Sequence, residues 1–156
     1  MTFFEQLHPG LVTEIGSHTF AEDEIVRFAR KYDPQPFHLS REDAEGSLFG
    51  GLCASGWHTA AVFMRLNIRN GRDAMFEAMG YDGPEPVFGP SPGVRDLRWL
   101  RPVFVGDTVS YRNTLLEARA SKSKPGWGVL SSASEGTNQD GETVITFRSA
   151  VLVRMD

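Results

Sequence analysis

From Ser55 to Leu66 the chain reads Ser-Gly-Trp-His-Thr-Ala-Ala-Val-Phe-Met-Arg-Leu, and this segment constrains the fold more than any other. Wound at 3.6 residues per turn, it carries apolar side chains on nearly every side of the helical wheel. A helix of that kind must be enclosed by other protein. It is also too short to span a bilayer, which takes about 20 apolar residues. The remaining chain therefore has to provide something that wraps around it.

The second half provides strands. Ile145, Phe147, Ser149, Val151 and Val153 alternate along Thr143 to Val153, a period of two that a helix does not give. Asp140-Gly141 just before them is a hairpin signal. Further strands are expected at about Val94 to Leu100, Thr108 to Ala120 and Gly128 to Thr137, completing an antiparallel meander. Long antiparallel strands with one all-apolar helix indicate an α+β domain whose curled sheet wraps that helix. Glycine and proline gather between Tyr81 and Gly93, but neither flank reads as an independent unit, so residues 1–156 are expected to form one domain.

The first half opens with an expected strand at Leu11 to Phe20. Thr19-Phe20-Ala21-Glu22 has capping-box form and is expected to start a helix running to about Lys31, with Ile25, Phe28 and Ala29 on one face. Pro34 and Pro36 stop it and favour an extended path. Ser40 to Asp43 can open a short helix, Gly46, Gly50 and Gly51 return the chain to a loop, and a more amphipathic helix follows at about Asp73 to Met79.

Charge and residue types exclude several function classes. A formal net charge of -4 argues against general nucleic-acid binding, which needs a basic face. No segment approaches the length of a membrane span. Cys53 is the single cysteine, so an intrachain disulfide and a cysteine-based metal site are excluded. His8, His18, His38 and His58 show no metal-ligand grouping, and phosphate-loop and dinucleotide motifs are absent, so neither metal nor cofactor is expected. The N-terminus lacks a basic start followed by a long apolar stretch, and with the lone thiol this makes the cytoplasm the expected compartment.

Two segments carry groups suited to chemistry. In Asp33-Pro34-Gln35-Pro36-Phe37-His38 a carboxylate stands near an imidazole, an arrangement suited to proton transfer, and two prolines stiffen the backbone between them. The plainer reading is a helix-ending turn with Asp33 in an Asx turn and His38 on the surface. In Gly50 to Trp57, glycines precede the apolar helix, whose first N–H groups can face a developing oxyanion. The plainer reading there is a tight glycine loop with Ser55 as a simple cap.

Taken in order, these segments resemble the MaoC-like dehydratase family, which includes the (R)-specific enoyl-CoA hydratases. That family carries Asp-x-Asn-Pro-aliphatic-His after its first helix, and residues 33–38 keep the Asp-to-His interval. Ala54-Ser55-Gly56-Trp57 stands where the family has an Ala-His-Gly-Met-type stretch. Arg101-Pro102-Val103-Phe104-Val105-Gly106-Asp107-Thr108 resembles its Pro-Val-x-x-Gly-Asp turn. The matches span the chain from about residue 20 onward. Gln35 stands for the usual Asn, Phe37 for an aliphatic residue and Ser55 for the His.

The resemblance implies a single hot-dog fold, a curled antiparallel sheet around a central helix. It implies a dehydratase/hydratase acting on the C2–C3 bond of a 2-enoyl or (R)-3-hydroxyacyl thioester. Asp33 and His38 become the acid/base pair and the Gly56 amide the thioester-oxygen donor. Gln35, Phe37, Ser55 and Trp57 become substrate contacts. Coenzyme A enters only as part of an acyl-CoA substrate, and a homodimer is expected. Arginines at the entrance would meet its phosphates: Arg95 and Arg101, an even number of residues apart, are expected to share a sheet face, with Arg98 opposite. Arg65, Arg69 and Arg72 follow the central helix. The competing readings are a thioesterase on the same fold and a non-catalytic acyl-thioester binder. The absence of Asp and Glu from residues 55–70 weighs against the thioesterase.

Overall fold

The computed structural model describes residues 1–156. Its elements run α1 (Phe3–Gln6), β1 (Val12–Thr19), α2 (Glu22–Tyr32), α3 (Arg41–Glu45), α4 (Gly56–Leu66), α5 (Arg72–Met79), β2 (Gly93–Trp99), β3 (Thr108–Ala120), β4 (Trp127–Thr137) and β5 (Thr143–Arg154). The strands form one antiparallel sheet in the order β1-β3-β4-β5-β2. This is the hot-dog arrangement, with α4 as the filling.

The strands are where their period-two patterns put them, but the meander covers only β3, β4 and β5. The sheet places β2 beyond β5, so the chain must cross from one edge region to the other between Leu100 and Asp107. That crossing is put to use. Ala54 N–H donates to the Val103 carbonyl at 2.8 Å and Val105 N–H to that of Leu52 at 3.2 Å, which fastens the segment before α4. The turn is closed by Asp107, whose carboxylate accepts the Phe104 N–H at 2.9 Å, with Gly106 at φ 86°, a left-handed value that glycine adopts without strain.

Bulges at Glu14/Gly16, Arg95/Arg98 and Leu115/Glu117 bend the strands. The concave face takes Val62 and Phe63 of α4 against Ile15, Val109, Tyr111, Ile145 and Phe147. Phe63 meets Phe147 edge to face at 4.6 Å. Tyr111 is fully buried, and its hydroxyl is satisfied by the Thr59 carbonyl at 2.9 Å. A smaller core of Phe3, Leu11, Leu115, Leu130 and Val153 lies toward the other end under α1 and α5. A π-helical turn, Asn67–Gly71, joins α4 to α5.

Three expectations change. The capping box assigned to Thr19 does not form, because Thr19 ends β1 and its hydroxyl pairs with that of Thr108 at 2.7 Å. Helix α2 begins two residues later, with the Glu24 carboxylate accepting the Ala21 N–H at 3.0 Å. A Thr-x-x-Glu box does cap a helix, at Thr2 and Glu5 of α1. The extended path after α2 lasts only to Gln35, since Pro36–His38 form a 3-10 turn. Finally, α4 is not enclosed on every side. The curled sheet and α2 cover Val62, Phe63 and His58, while Trp57, Met64 and Ile68 form an outward stripe at 56%, 50% and 74% exposure.

Candidate functional site

A cavity of about 390 Å³ opens between the Asp33–His38 segment, the start of α4, and the stretch from Trp99 to Val103. Asp33 is the residue at which α2 ends. Its N–H still donates to Ala29 at 2.9 Å, and Pro34 prevents another helical turn. Pro36, preset for the first position of a helical turn, then starts the 3-10 turn that brings His38 back toward Asp33. The interval seen in sequence is thus a short return loop with a side chain at each end of it facing the same cavity.

The His38 ring is fixed at both nitrogens. Nδ1 lies 2.7 Å from the Cys53 carbonyl oxygen, which can only accept, so Nδ1 carries a proton. Nε2 therefore faces Asp33, 3.4 Å from Oδ2. His38 is 5% exposed. The Asp33 carboxylate is held on both oxygens: Gln35 Nε2 donates to Oδ1 at 2.7 Å and the Ser55 hydroxyl to Oδ2 at 2.6 Å. Partial burial pushes its pKa up, but the hydrogen bonds from Ser55 and Gln35 and the nearby His38 outweigh this and hold it below the usual aspartate value.

Gly56 is the first residue of α4. Ser55 Oγ accepts the Trp57 N–H at 3.2 Å, and the Gly56 N–H, one of the orphan donors of a helix start, has no acceptor in the chain. The Trp99 indole occupies the space that a Cβ at Gly56 would need, so a side chain there would have to displace the ring. The glycine thus serves close approach of the indole as well as access to the amide.

Asp33, His38, Gly56, Gln35, Phe37 and Trp57 all line the cavity. Ser55 does not; it is fully buried, and its hydroxyl meets Asp33. Gln35 lines the cavity and also braces Asp33. Phe37 packs edge to face on His38 at 4.6 Å and on Phe49 at 5.0 Å. Sequence reasoning missed Phe49, Cys53, Trp99, Leu100 and Val144, which also line the cavity. The signal for Trp99 is weak but present, because an aromatic residue ending a strand beside a glycine-started helix is a way to fill the space that glycine leaves.

The Cys53 thiol is 3.7 Å from His38 Nδ1, and burial pushes its pKa up to about 11, so it remains a thiol. No group of three or more His, Cys, Asp or Glu side chains is placed to hold a metal ion. No helix is long and apolar enough to cross a membrane.

The arginine expectation is reversed. The bulge at Asp96, with φ 53°, shifts the alternation, so Arg95 and Arg98 pair with Arg148 and Thr146 on one outer face. Arg101 lines the cavity and is ion-paired with Glu142 at 2.8 Å. Arg65 bonds His18 at 3.0 Å, and Arg72 pairs with Asp73 and Glu85.

Comparison with known proteins fits this geometry. The MaoC like domain model matches residues 8–127. A MaoC-like dehydratase from Rhodospirillum rubrum superposes with a TM-score of 0.81 at 34% identity, covering 100% of this chain and 98% of that one. An uncharacterized protein, YdeM, from Bacillus subtilis is 26% identical over 93% of this chain and 94% of its own length. A mesaconyl-CoA hydratase from Cereibacter sphaeroides is 37% identical over 62 residues, 40% of this chain and 18% of that protein. An (R)-hydratase from Pseudomonas aeruginosa, 22% identical with a TM-score of 0.66 over 98% of this chain and 86% of that one, shares the fold.

Proposed function

Because the chain belongs to the MaoC-like dehydratase/hydratase family, we propose that it is a hydro-lyase that adds water to, or removes it from, the C2–C3 bond of a 2-enoyl / (R)-3-hydroxyacyl thioester, with acyl-CoA as the substrate class. The observation that carries this reading is the pairing of Asp33 Oδ2 with His38 Nε2 at 3.4 Å on one wall of a cavity whose other wall presents the unmatched Gly56 N–H.

In hydration, water lies between the carboxylate and the imidazole. Asp33 takes one of its protons as the oxygen bonds to C3. The thioester carbonyl gains enolate character, and the Gly56 N–H donates to its oxygen; a preorganised donor of this kind is worth about 10²-fold or more in a water-poor site. His38, protonated on Nε2, delivers that proton to C2. Return of the proton from Asp33 to His38 through the next water held between them resets the pair. Dehydration runs the same steps backward. Ser55 and Gln35 hold Asp33 ionised and aimed. The wall formed by Phe37, Phe49, Trp57 and Trp99 suits an acyl chain.

The test is hydration of a short trans-2-enoyl-CoA followed by loss of its conjugated absorbance. Asp33→Asn, folded by circular dichroism, is expected to lose about 10³-fold in kcat. A variant that keeps the parent's rate removes Asp33 as the base. Release of free thiol with the double bond intact would instead support the thioesterase.

We also propose a homodimer. Strand β2 lies at a sheet edge with side chains exposed along it, and Trp57, Met64 and Ile68 add an apolar stripe nearby, with Trp57 and Trp99 in edge contact at 4.9 Å. A second copy on this face covers both the unpaired edge and the stripe. Light scattering that reports a monomer at micromolar concentration removes it.

A further inference from the structure

On the outer face of the sheet, away from α4, the strand register assembles a row of cations. Arg95 on β2 stands directly across from Arg148 on β5, and Arg98 is across from Thr146, two residues along β5 from Arg148. Direct cross-strand partners have Cβ atoms about 5 Å apart and diagonal ones about 7 to 8 Å, so the three guanidinium groups can reach one point. Like charges directly opposite each other destabilise a sheet. No carboxylate lies within 4 Å of any of the three to offset this. Arg112, farther along the same face, is by contrast neutralised by Glu135.

The residues Arg98, Arg148 and Arg112 border a groove of about 530 Å³ that Thr114, Thr146, Asp96 and Glu135 also line. Its only apolar linings are Ala133 and Phe147, which does not suit an acyl chain. The volume matches a small-molecule site, and planar guanidinium groups are suited to the paired oxygens of phosphate. Of the two carboxylates, Glu135 is taken up by Arg112, so Arg98 and Arg148 are the arginines left to oppose Asp96 and receive an anion. Strand β2 separates this groove from the catalytic cavity, because Arg98 faces outward while the next residue, Trp99, faces inward onto Gly56.

We propose that this outer groove is a binding site for a small phosphate-bearing anion, held by Arg98 and Arg148 with Arg95 beside them, and that it is separate from the thioester site.

The probe is inorganic pyrophosphate, titrated calorimetrically into the whole protein at low salt. Wild type is expected to bind with a Kd of about 1 mM or tighter, and Arg98→Gln/Arg148→Gln to weaken this by about a hundredfold, about tenfold per lost charged contact. Arg119→Gln, outside the groove, is expected to bind as wild type. The KM for enoyl-CoA is expected to stay unchanged in the double variant. Absence of pyrophosphate binding by wild type, or equal weakening by Arg119→Gln, overturns the site. A KM that rises in step with the lost pyrophosphate affinity also overturns it as a separate site, because the groove would then serve the substrate's own phosphates. Loss of catalysis in Asp33→Asn leaves the pyrophosphate result untouched, so the two readings fail independently.

Discussion

Two histidines flank the N-terminal end of α4, equally hidden and differently equipped. His38 is 5% exposed and His58 7%. His38 has a carbonyl at one ring nitrogen and a carboxylate near the other. His58 is held by its faces: it stacks on Phe28 with ring centroids at 4.6 Å and 7° between planes, and meets Phe20 edge-on at 5.0 Å. Its Nδ1 is buried without any hydrogen-bond partner. Burial pushes its pKa down to about 4, with the Glu24 carboxylate nearby only partly opposing this. Burial of an imidazole therefore says little about chemistry. Placement of both nitrogens against groups that accept or share a proton is what separates a catalytic candidate from a packing ring.

The sharpest way to break this comparison is to exchange the chemistry for packing at both places. His38→Gln is expected to lose about 10²- to 10⁴-fold in kcat on an enoyl-CoA, the usual size of a lost acid/base group. His58→Phe is expected to keep the parent's kcat within about twofold, because its ring reaches neither the cavity nor Asp33. The same variant is expected to gain about 1 kcal/mol of stability in urea melts by removing an unmatched buried nitrogen. Equal losses of activity in the two variants would erase the distinction.

Acid provides the next test. His58 has a folded pKa of about 4, below its ordinary 6.5, so the fold favours the neutral ring. Its contribution is fully present above pH 6.5 and is lost as pH falls from 6.5 toward 4, where the unfolded chain binds the extra proton. The size is about 3 kcal/mol at most. Asp33 is also held low, but its contribution is lost only below its ordinary value of 3.8. Urea melts of wild type at pH 7 and pH 4.5 are expected to show a marked loss that His58→Phe largely removes. A loss of the same size in the variant assigns the acid sensitivity elsewhere.

What was readable in the sequence divides along the same line, between local pattern and tertiary placement. Strand β3 carries its own period of two, and its limits, Thr108 and Ala120, are the expected ones. The Asp33-to-His38 interval was legible through its resemblance to a family motif, not through its prolines, which pointed to an extended path where Pro36 instead opens a 3-10 turn that folds His38 back. Thr19 misled because its hydroxyl is taken across the sheet by Thr108, a partner 89 residues away. Arg95 and Arg101 misled because a single residue, Asp96, breaks the alternation on which the parity argument depended. The apolar wheel of α4 gave the fold's central element but not the stripe left outside the curled sheet. Nothing local distinguishes Trp57, which faces out, from Phe63, which faces in. The bond between Ser55 and Asp33 was equally hidden, since it joins residues 22 apart.

That bond gives the finest test of how the partnered histidine's side of α4 works. Ser55 is a cap by its bond to the Trp57 N–H and a positioning residue by its bond to Asp33. Loss of the cap alone costs about 1 kcal/mol of stability and leaves the rate unchanged. Loss of the bond to Asp33 removes one of the interactions that hold the carboxylate ionised, so its pKa rises. Ser55→Ala is accordingly expected to lower kcat about tenfold with little change in KM, and to move the acid limb of the rate profile to higher pH. Ser55→Thr, which keeps the hydroxyl, is expected to restore the limb. A variant that loses stability while its acid limb stays in place leaves Ser55 a cap only, and Gln35 then becomes the residue that holds Asp33.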